Sequence, residues 1–252
     1  MGARIQLFFH QWLQDVSDAW VLDIVHSGYR IDFPSSPPLS GVIVTRLPSQ
    51  GPKRLAMLEG LDALLQNHAI IKVPASERGD GIYSILFLAK KPSGKFRSVI
   101  NLRGVNSWIR RVPFRMVTLQ SIIPLIQRWD WLASIDLQDA YFHVPIESSS
   151  QKFLRFAVQD RHFQFSVLPF GLSSSPRVFT KVLAPLIALL HAEGILVHPY
   201  LDDLLIQAPS RGCLLSHLER VQEVLVQHGF LLNVAKSALV PSQDLVFLGG
   251  TV

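Results

Sequence analysis

Two adjacent aspartates, Asp202 and Asp203, separate two apolar segments, 195–197 and 204–206, that would otherwise pair as neighbouring strands. A third, Asp136, closes the apolar run Leu132-Ala-Ser-Ile135. An ionised carboxylate at a core edge is unfavourable unless a cation or hydrogen-bond donors compensate it. A polar hairpin tip is one way to place an Asp-Asp pair. Such tips favour Asn-Gly or Asp-Gly, however, and here glycine is missing and Tyr200 precedes. Adjacent carboxylates repel, a divalent cation relieves the repulsion, and an all-oxygen donor set suits Mg²⁺ or Mn²⁺. If Asp136 reaches the same place, the site can hold two metal ions roughly 4 Å apart, as in-line phosphoryl transfer requires. Spacing alone leaves a nucleotidyl transferase and a metal-dependent nuclease both open. A nuclease also needs a positioned water and a base, and no residue stands out for that role.

Charge distribution points the same way. Lys and Arg number 24 against 19 Asp and Glu, a modest net charge of +5. Yet residues 81–129 contain no acidic residue and carry Lys90, Lys91, Lys95, Arg97, Arg103, Arg110, Arg111, Arg115 and Arg128. A one-sign segment in an otherwise mixed chain fits a surface that faces phosphates, and otherwise a solvated basic face.

With 252 residues, 48% hydrophobic and 17% charged, the chain is long and apolar enough for one large domain or two small ones. The single cysteine, Cys213, excludes an internal disulfide and a thiolate zinc site. The nine histidines are scattered without ligand spacing, and His143 reads as a structural histidine. No apolar run reaches the roughly 18 residues of a membrane span, and the N-terminus lacks a secretory pattern, so an intracellular chain with no membrane partner is expected.

Apolar periodicity places the elements. Residues 1–30 have roughly helical spacing, and 33–41 read as an extended proline-rich linker. Residues 54–68 predict a helix buried through Leu55, Leu58, Leu61, Leu64 and Leu65. Residues 82–88 and 96–102 predict two strands joined by a basic tip, with Gly94 able to take a positive φ. A short strand ends at Asp136. Ser175-Pro176 opens a helix, the serine as cap and the proline in the first turn, buried through Val178, Phe179, Val182, Leu183, Leu186, Ile187 and Leu190. A second helix runs from about 214 to 228, with Gly229 at its C-terminal cap. The chain closes on a strand with a glycine turn at 246–252. Helices interleaved with hairpins give an α+β class. Trp108 is open to stacking on bases, whereas Trp129 and Trp131 read as core residues.

Six segments then form a recognisable series. Tyr200-Leu-Asp-Asp203 resembles the YxDD box of reverse transcriptases. Residues 134–146, SIDLQDAYFHVPI, resemble their first palm motif, and LPFGLSSSP at 168–176 resembles the box that follows. KKPSGKFR at 90–97 with NLRGVN at 101–106 is similar to the fingers hairpin. LNVAKS at 232–237 and FLGG at 247–250 are similar to the last two palm motifs. The six occur in the family's order across residues 82–250. Their wording is nearest to retrotransposons of the DIRS type, with hepadnaviral polymerases and Ty3-like elements next.

The resemblance implies an RNA-directed DNA polymerase that adds dNTPs to a primer 3′-hydroxyl on an RNA or DNA template. It implies two Mg²⁺, or Mn²⁺, on Asp136, Asp202, Asp203 and the backbone carbonyl of Leu137. The three aspartates would be catalytic. Lys90 and Arg97 would grip the triphosphate, Arg97 in bidentate fashion. Tyr141 would lie under the sugar and exclude a 2′-hydroxyl. Phe170 and Gly171 would border the nucleotide, Gly171 by permitting close backbone approach. Phe170 stands where relatives carry a polar residue, so no hydrogen-bonding role transfers to it. Lys236 would sit near the pyrophosphate. Tyr200 and the turn Phe247, Leu248, Gly249, Gly250 would hold primer and template.

The implied architecture is fingers and palm of a right-hand polymerase, the palm an antiparallel sheet on helices, with thumb and RNase H absent. Its expected division is an N-terminal extension and linker at 1–50, fingers at 51–113, and palm at 114–252 with a fingers insertion near 147–162. A parent polyprotein carrying RNase H downstream is expected. The competing expectation is a folded nucleic-acid-binding remnant that does not polymerise.

Overall fold

The computed structural model describes residues 2–90 and 96–251, apart from the side chains of Arg97, Leu119 and Thr251. The Lys91 and Lys95 tip, the expected turn at Gly94 and the Arg97 guanidinium lie outside the described residues. The fold is α+β, and the chain divides into two compact units.

The first unit comprises residues 1–4, 23–112 and 141–175. Its four-stranded sheet runs Val44–Thr45, Arg155–Val158, Arg161–Phe165, Ile70–Lys72, parallel in the first pairing and antiparallel in the others. Arg155, fully buried, ties this sheet to the preceding loop. Its guanidinium donates to Gln164 Oε1 (2.9 Å), to the Glu77 carboxylate and carbonyl (2.6 Å each) and to the Asp80 carbonyl. A buried charge needs such complete pairing.

The basic hairpin forms between Leu86–Lys90 and Phe96–Ile100, in register from Leu86↔Ile100 to Lys90↔Phe96. It starts four residues later than periodicity predicted. The amides of Ile82 and Ser84 donate instead to the carbonyls of Lys152 and Arg155, so those residues belong to another ladder. The Pro52–Gln66 helix buries Met57 and Leu61, whereas Leu55, expected inside, is 59% exposed. The rotation follows from Gly60. A side chain there would strike Ser98 Oγ at 2.2 Å, so the helix turns its hydrogen-only position onto the hairpin.

The second unit comprises residues 5–22, 113–140 and 176–252. Its antiparallel sheet has the order Ala238–Ser242, Trp131–Asp136, Asp203–Ala208, Leu196–Tyr200. Leu132, Ala133, Ile135, Leu204, Leu205 and Ile206 are fully buried in it. Continuous apolar runs are what a sheet covered on both faces requires. The Ser175–Ala192 helix runs through Pro185 and buries all seven residues its periodicity predicted. Ser175 does not cap it. Its hydroxyl donates to the Pro169 carbonyl at 2.9 Å.

The Arg211–Gln227 helix begins earlier than expected because Ser210 caps it, the hydroxyl accepting the Cys213 amide at 3.2 Å. Gly229 follows at φ +91°, the left-handed C-terminal cap. Near the N-terminus, helical spacing resolves into Phe9–Asp15 and Ala19–Ser27. Asp18 starts the second, its carboxylate accepting the amides of Trp20 and Val21. Trp12 is fully buried and donates from Nε1 to the His228 carbonyl at 3.0 Å.

Candidate active site

Leu196–Tyr200 and Asp203–Ala208 form a hairpin with the two-residue turn Leu201-Asp202. The Asp-Asp pair is therefore a hairpin tip after all, made without glycine. Leu201 takes φ +54°, a conformation unfavourable for a branched side chain, of order 1–3 kcal/mol. The turn sets Asp203 as the first paired residue of a central strand, opposite Tyr200 on one side and Asp136 on the other. Directly opposed residues project to the same face, so Tyr200, Asp203 and Asp136 make one row across three strands. Asp202 lies in the turn beside that row.

Asp136 is held by its backbone. Its amide donates to Ser237 Oγ at 3.0 Å, and its carbonyl accepts the Asn233 amide at 2.8 Å. The Ser237 hydroxyl in turn donates to the Asn233 carbonyl at 2.8 Å. Leu137 lies opposite Leu232 in an antiparallel bridge. The Asn233 amide to the Asp136 carbonyl and the Gln138 amide to the Leu231 carbonyl flank that bridge. In such a pair the residue's own N–H and C=O point away from its partner. The Leu137 N–H accordingly donates to the Asp202 carbonyl at 2.8 Å, and the Leu137 carbonyl shares that side.

The three carboxylates feel one another. Burial pushes the Asp203 carboxyl up to about 6, with the charges of Asp202 and Asp136 adding to the rise and Lys236 opposing it. Asp202 is also raised, first by burial and further by Asp136, against its own backbone hydrogen bond and Lys236. Lys236 Nζ stands 4.0 Å from Asp136 Oδ2, on a side chain 71% exposed. Among the described residues, no group of three or more Asp, Glu, His or Cys side chains stands close enough to hold a metal ion as arranged. The donor set nonetheless suits a hard cation. It is all oxygen, and the ionised forms of Asp202 and Asp203 are disfavoured by nearby negative charge that a divalent ion would neutralise.

Phe247 and Leu248 pack with Leu132, Leu205 and Tyr200, the strands that carry the row. Val246–Phe247 pairs with Gly250–Thr251 through Leu248 (φ +51°) and Gly249 (φ +79°). Two positive φ values are what a tight hairpin turn demands.

The remaining predicted residues belong to the first unit. Lys90 is exposed at the end of its strand, and Arg97 pairs with Ala89 in the opposite one. Tyr141 is buried, and the Phe170 ring covers it at 4.8 Å between centroids. Phe170 itself is 46% exposed, and Gly171 takes φ +95°. His143 is fully buried. In the second unit, Trp129, expected in the core, is 70% exposed with the Arg128 guanidinium 5.1 Å from its ring. Its polar neighbours Arg128 and Asp130 already marked a loop.

Ser237 is the site residue that sequence reasoning missed. It lies next to Lys236 in a motif already noted, but a hydroxyl reaching a backbone amide 101 positions away leaves no periodic trace.

A family described as reverse transcriptase (RNA-dependent DNA polymerase) matches residues 89–252. The Gag-Pro-Pol polyprotein of Human T-cell leukemia virus 3 (strain Pyl43) is 27% identical over 95% of this chain and 18% of its own length. The Gag-Pol polyprotein of Rous sarcoma virus subgroup C (strain Prague) is 32% identical over 60% of this chain and 10% of its own. The chain thus spans less than a fifth of either polyprotein. The foamy viral protease-reverse transcriptase dRH in complex with double-stranded DNA aligns with a TM-score of 0.70 at 20% identity, covering all of this chain and 46% of that one.

Proposed function

The chain belongs to the reverse transcriptase (RNA-dependent DNA polymerase) family, and from this membership we propose that it carries the polymerising site of a longer polyprotein. The reaction is template-directed addition of dNTPs to a primer 3′-hydroxyl. The observation that carries this reading is the row Asp136–Asp203 with Asp202 beside it at a strand-end turn, where burial and neighbouring carboxylates raise Asp202 and Asp203.

Asp136, Asp202, Asp203 and the Leu137 carbonyl are the groups that would hold two Mg²⁺ or Mn²⁺. Bound there, the ions would supply a lowered pKa for the attacking hydroxyl and charge neutralisation for the departing pyrophosphate. Ser237 and Asn233 fix the backbone of Asp136, so its carboxylate is presented without searching. Lys236 faces Asp136 and is free to follow the pyrophosphate on its exposed stem. Lys90 and Arg97 bind the triphosphate. Tyr141, backed by Phe170 and Gly171, borders the sugar and rejects a 2′-hydroxyl. Tyr200 and the Phe247–Gly250 turn support the primer. RNA/DNA hybrid or double-stranded DNA occupies the homologous foamy viral enzymes, and a primed RNA or DNA template is the partner proposed here. A retrotransposon source of the DIRS type is part of the same proposal, supported by the wording of the motifs, as is a downstream RNase H, supported by membership in the family.

The test is dNTP incorporation on a primed RNA template with Mg²⁺ or Mn²⁺, comparing the chain with Asp202→Asn. Incorporation by the unsubstituted chain alone is expected. Equal absence in both, with primer-template still bound, would instead favour the non-polymerising remnant. Binding is expected to weaken steeply with salt, because phosphate contacts release counterions.

A further inference from the structure

We propose that Asn106 is a positioning residue that sets sugar selectivity by clamping the loop behind Tyr141. The proposal rests on the polymerase reading above.

Asn106 ends the one-turn helix Arg103–Asn106, whose Val105 is fully buried. Its side-chain amide is used from both ends. Nδ2 donates to the Gly171 carbonyl and Oδ1 accepts the Ser173 amide, each at 2.8 Å. One planar amide thus pins two backbone groups on either side of buried Leu172. The loop is closed again below by the Ser175 hydroxyl on the Pro169 carbonyl and the Ser175 amide on the Leu172 carbonyl.

The clamp acts on Phe170. Gly171 reverses the chain at φ +95°, which leaves Phe170 facing the aromatic pair before it. Its ring lies 4.8 Å from Tyr141 at 34° and 5.5 Å from Phe142 at 69°. Tyr141 and Phe142 are each only 7% exposed, whereas Phe170 covers them at 46%. Phe170 is carried by this loop, so loop geometry sets how its ring meets Tyr141. Asn106 fixes that geometry from 64 positions away in sequence, through the residue after Phe170. A steric filter works only as well as its wall is rigid. Loosening the wall weakens dNTP binding and admits the larger sugar.

Single-nucleotide incorporation with matched dNTP and rNTP tests this in Asn106→Ala, Asn106→Asp and Phe170→Ala. In Asn106→Ala, the KM for dNTP is expected to rise about tenfold, as one or two lost hydrogen bonds allow. The preference for dNTP over rNTP is expected to fall by a similar factor, with kcat changing less than about twofold. The metal concentration for half-maximal rate is expected to stay unchanged. Adding Phe170→Ala to Asn106→Ala is expected to bring no further loss of preference, because both act through one contact. Asn106→Asp keeps the acceptor for Ser173 and loses the donor for Gly171, so an intermediate effect is expected. It also carries the test if the alanine variant does not fold. Hydrogen exchange at the Ser173 amide is expected to quicken in Asn106→Ala, independently of activity.

Unchanged KM and preference, with the Ser173 amide exchanging faster, would overturn the proposal and leave the polymerase reading intact. A fall in kcat alone would overturn it too. No incorporation by the unsubstituted chain would overturn the polymerase reading and this proposal with it.

Discussion

Asp136 and Asp203 face one another as the final register pair of the ladder between Trp131–Asp136 and Asp203–Ala208. Like charges directly opposed across strands are destabilising. The protein keeps this pair at the end of its central ladder, with Asp202 adjoining, and burial raises the cost further. On the proposed reading, this arrangement gives up stability for a place where a cation would bind.

The pH dependence of stability follows from the sign of the shift. Asp203 in the folded chain holds its proton more tightly than in the unfolded one. Its contribution to stability is complete below the ordinary carboxylate range and is lost as pH climbs through about 6. Metal-free protein is expected to melt at lower temperature at about pH 7 than at about pH 4.5, with Asp203→Asn flattening the difference. Mg²⁺ or Mn²⁺ is expected to raise the melting temperature more at the higher pH. Identical slopes in the two proteins would refute the assignment of the effect to Asp203.

The turn residue Leu201 offers a separate test. Asparagine tolerates the left-handed region that leucine resists. Leu201→Asn is expected to raise the melting temperature by a few degrees, about 1 kcal/mol of relieved strain. Leu201→Val is expected to lower it, because a β-branched chain fits φ +54° worse still. Thermal melts of both variants decide, and a stabilised valine variant would count against strain at this turn.

Ser237 holds Asp136 through hydroxyl bonds to two backbone groups. Ser237→Ala removes both and leaves the Asp136 amide unsatisfied, worth roughly 1–3 kcal/mol. The expected outcome is a lower incorporation rate and a higher metal requirement. Ser237→Thr, which retains the hydroxyl, is expected to recover most of both. Measuring rate against metal concentration separates this from a general loss of stability. Alanine and threonine variants behaving alike would remove Ser237 from the site.

Arg155 concentrates its hydrogen bonds on the Glu77–Asp80 loop. Arg155→Met is expected to destabilise the first unit by about 3 kcal/mol and to open that loop to proteolysis first. Cleavage that begins elsewhere, at an unchanged rate, would show the loop to be held by other contacts.

Much of the fold was legible because it is local. The helices at 52–66, 175–192 and 211–227 follow from apolar periodicity over residues a few positions apart, whereas the tip at Leu201-Asp202 carries no glycine turn signal. Two of the misreadings share one cause. Leu55 turned outward because Gly60 fits against Ser98, and Ile82 and Ser84 left the hairpin for a strand 70 residues away. Each outcome depends on a partner distant in sequence, which local propensity does not register.

The site divides in the same way. The sequence by itself determined which residues are proposed to carry the chemistry, Asp136, Asp202, Asp203 and Lys236, with Tyr141 and Gly171, in motifs whose order resembles the family's. Only tertiary structure decided that Asp203, rather than Asp202, stands opposite Asp136. It alone recruited Ser237 to the Asp136 amide and Asn106 to the Gly171 carbonyl. Identity is written residue by residue. Register and long-range hydrogen bonds exist only once the strands have met, because a one-residue slip would send every side chain to the other face.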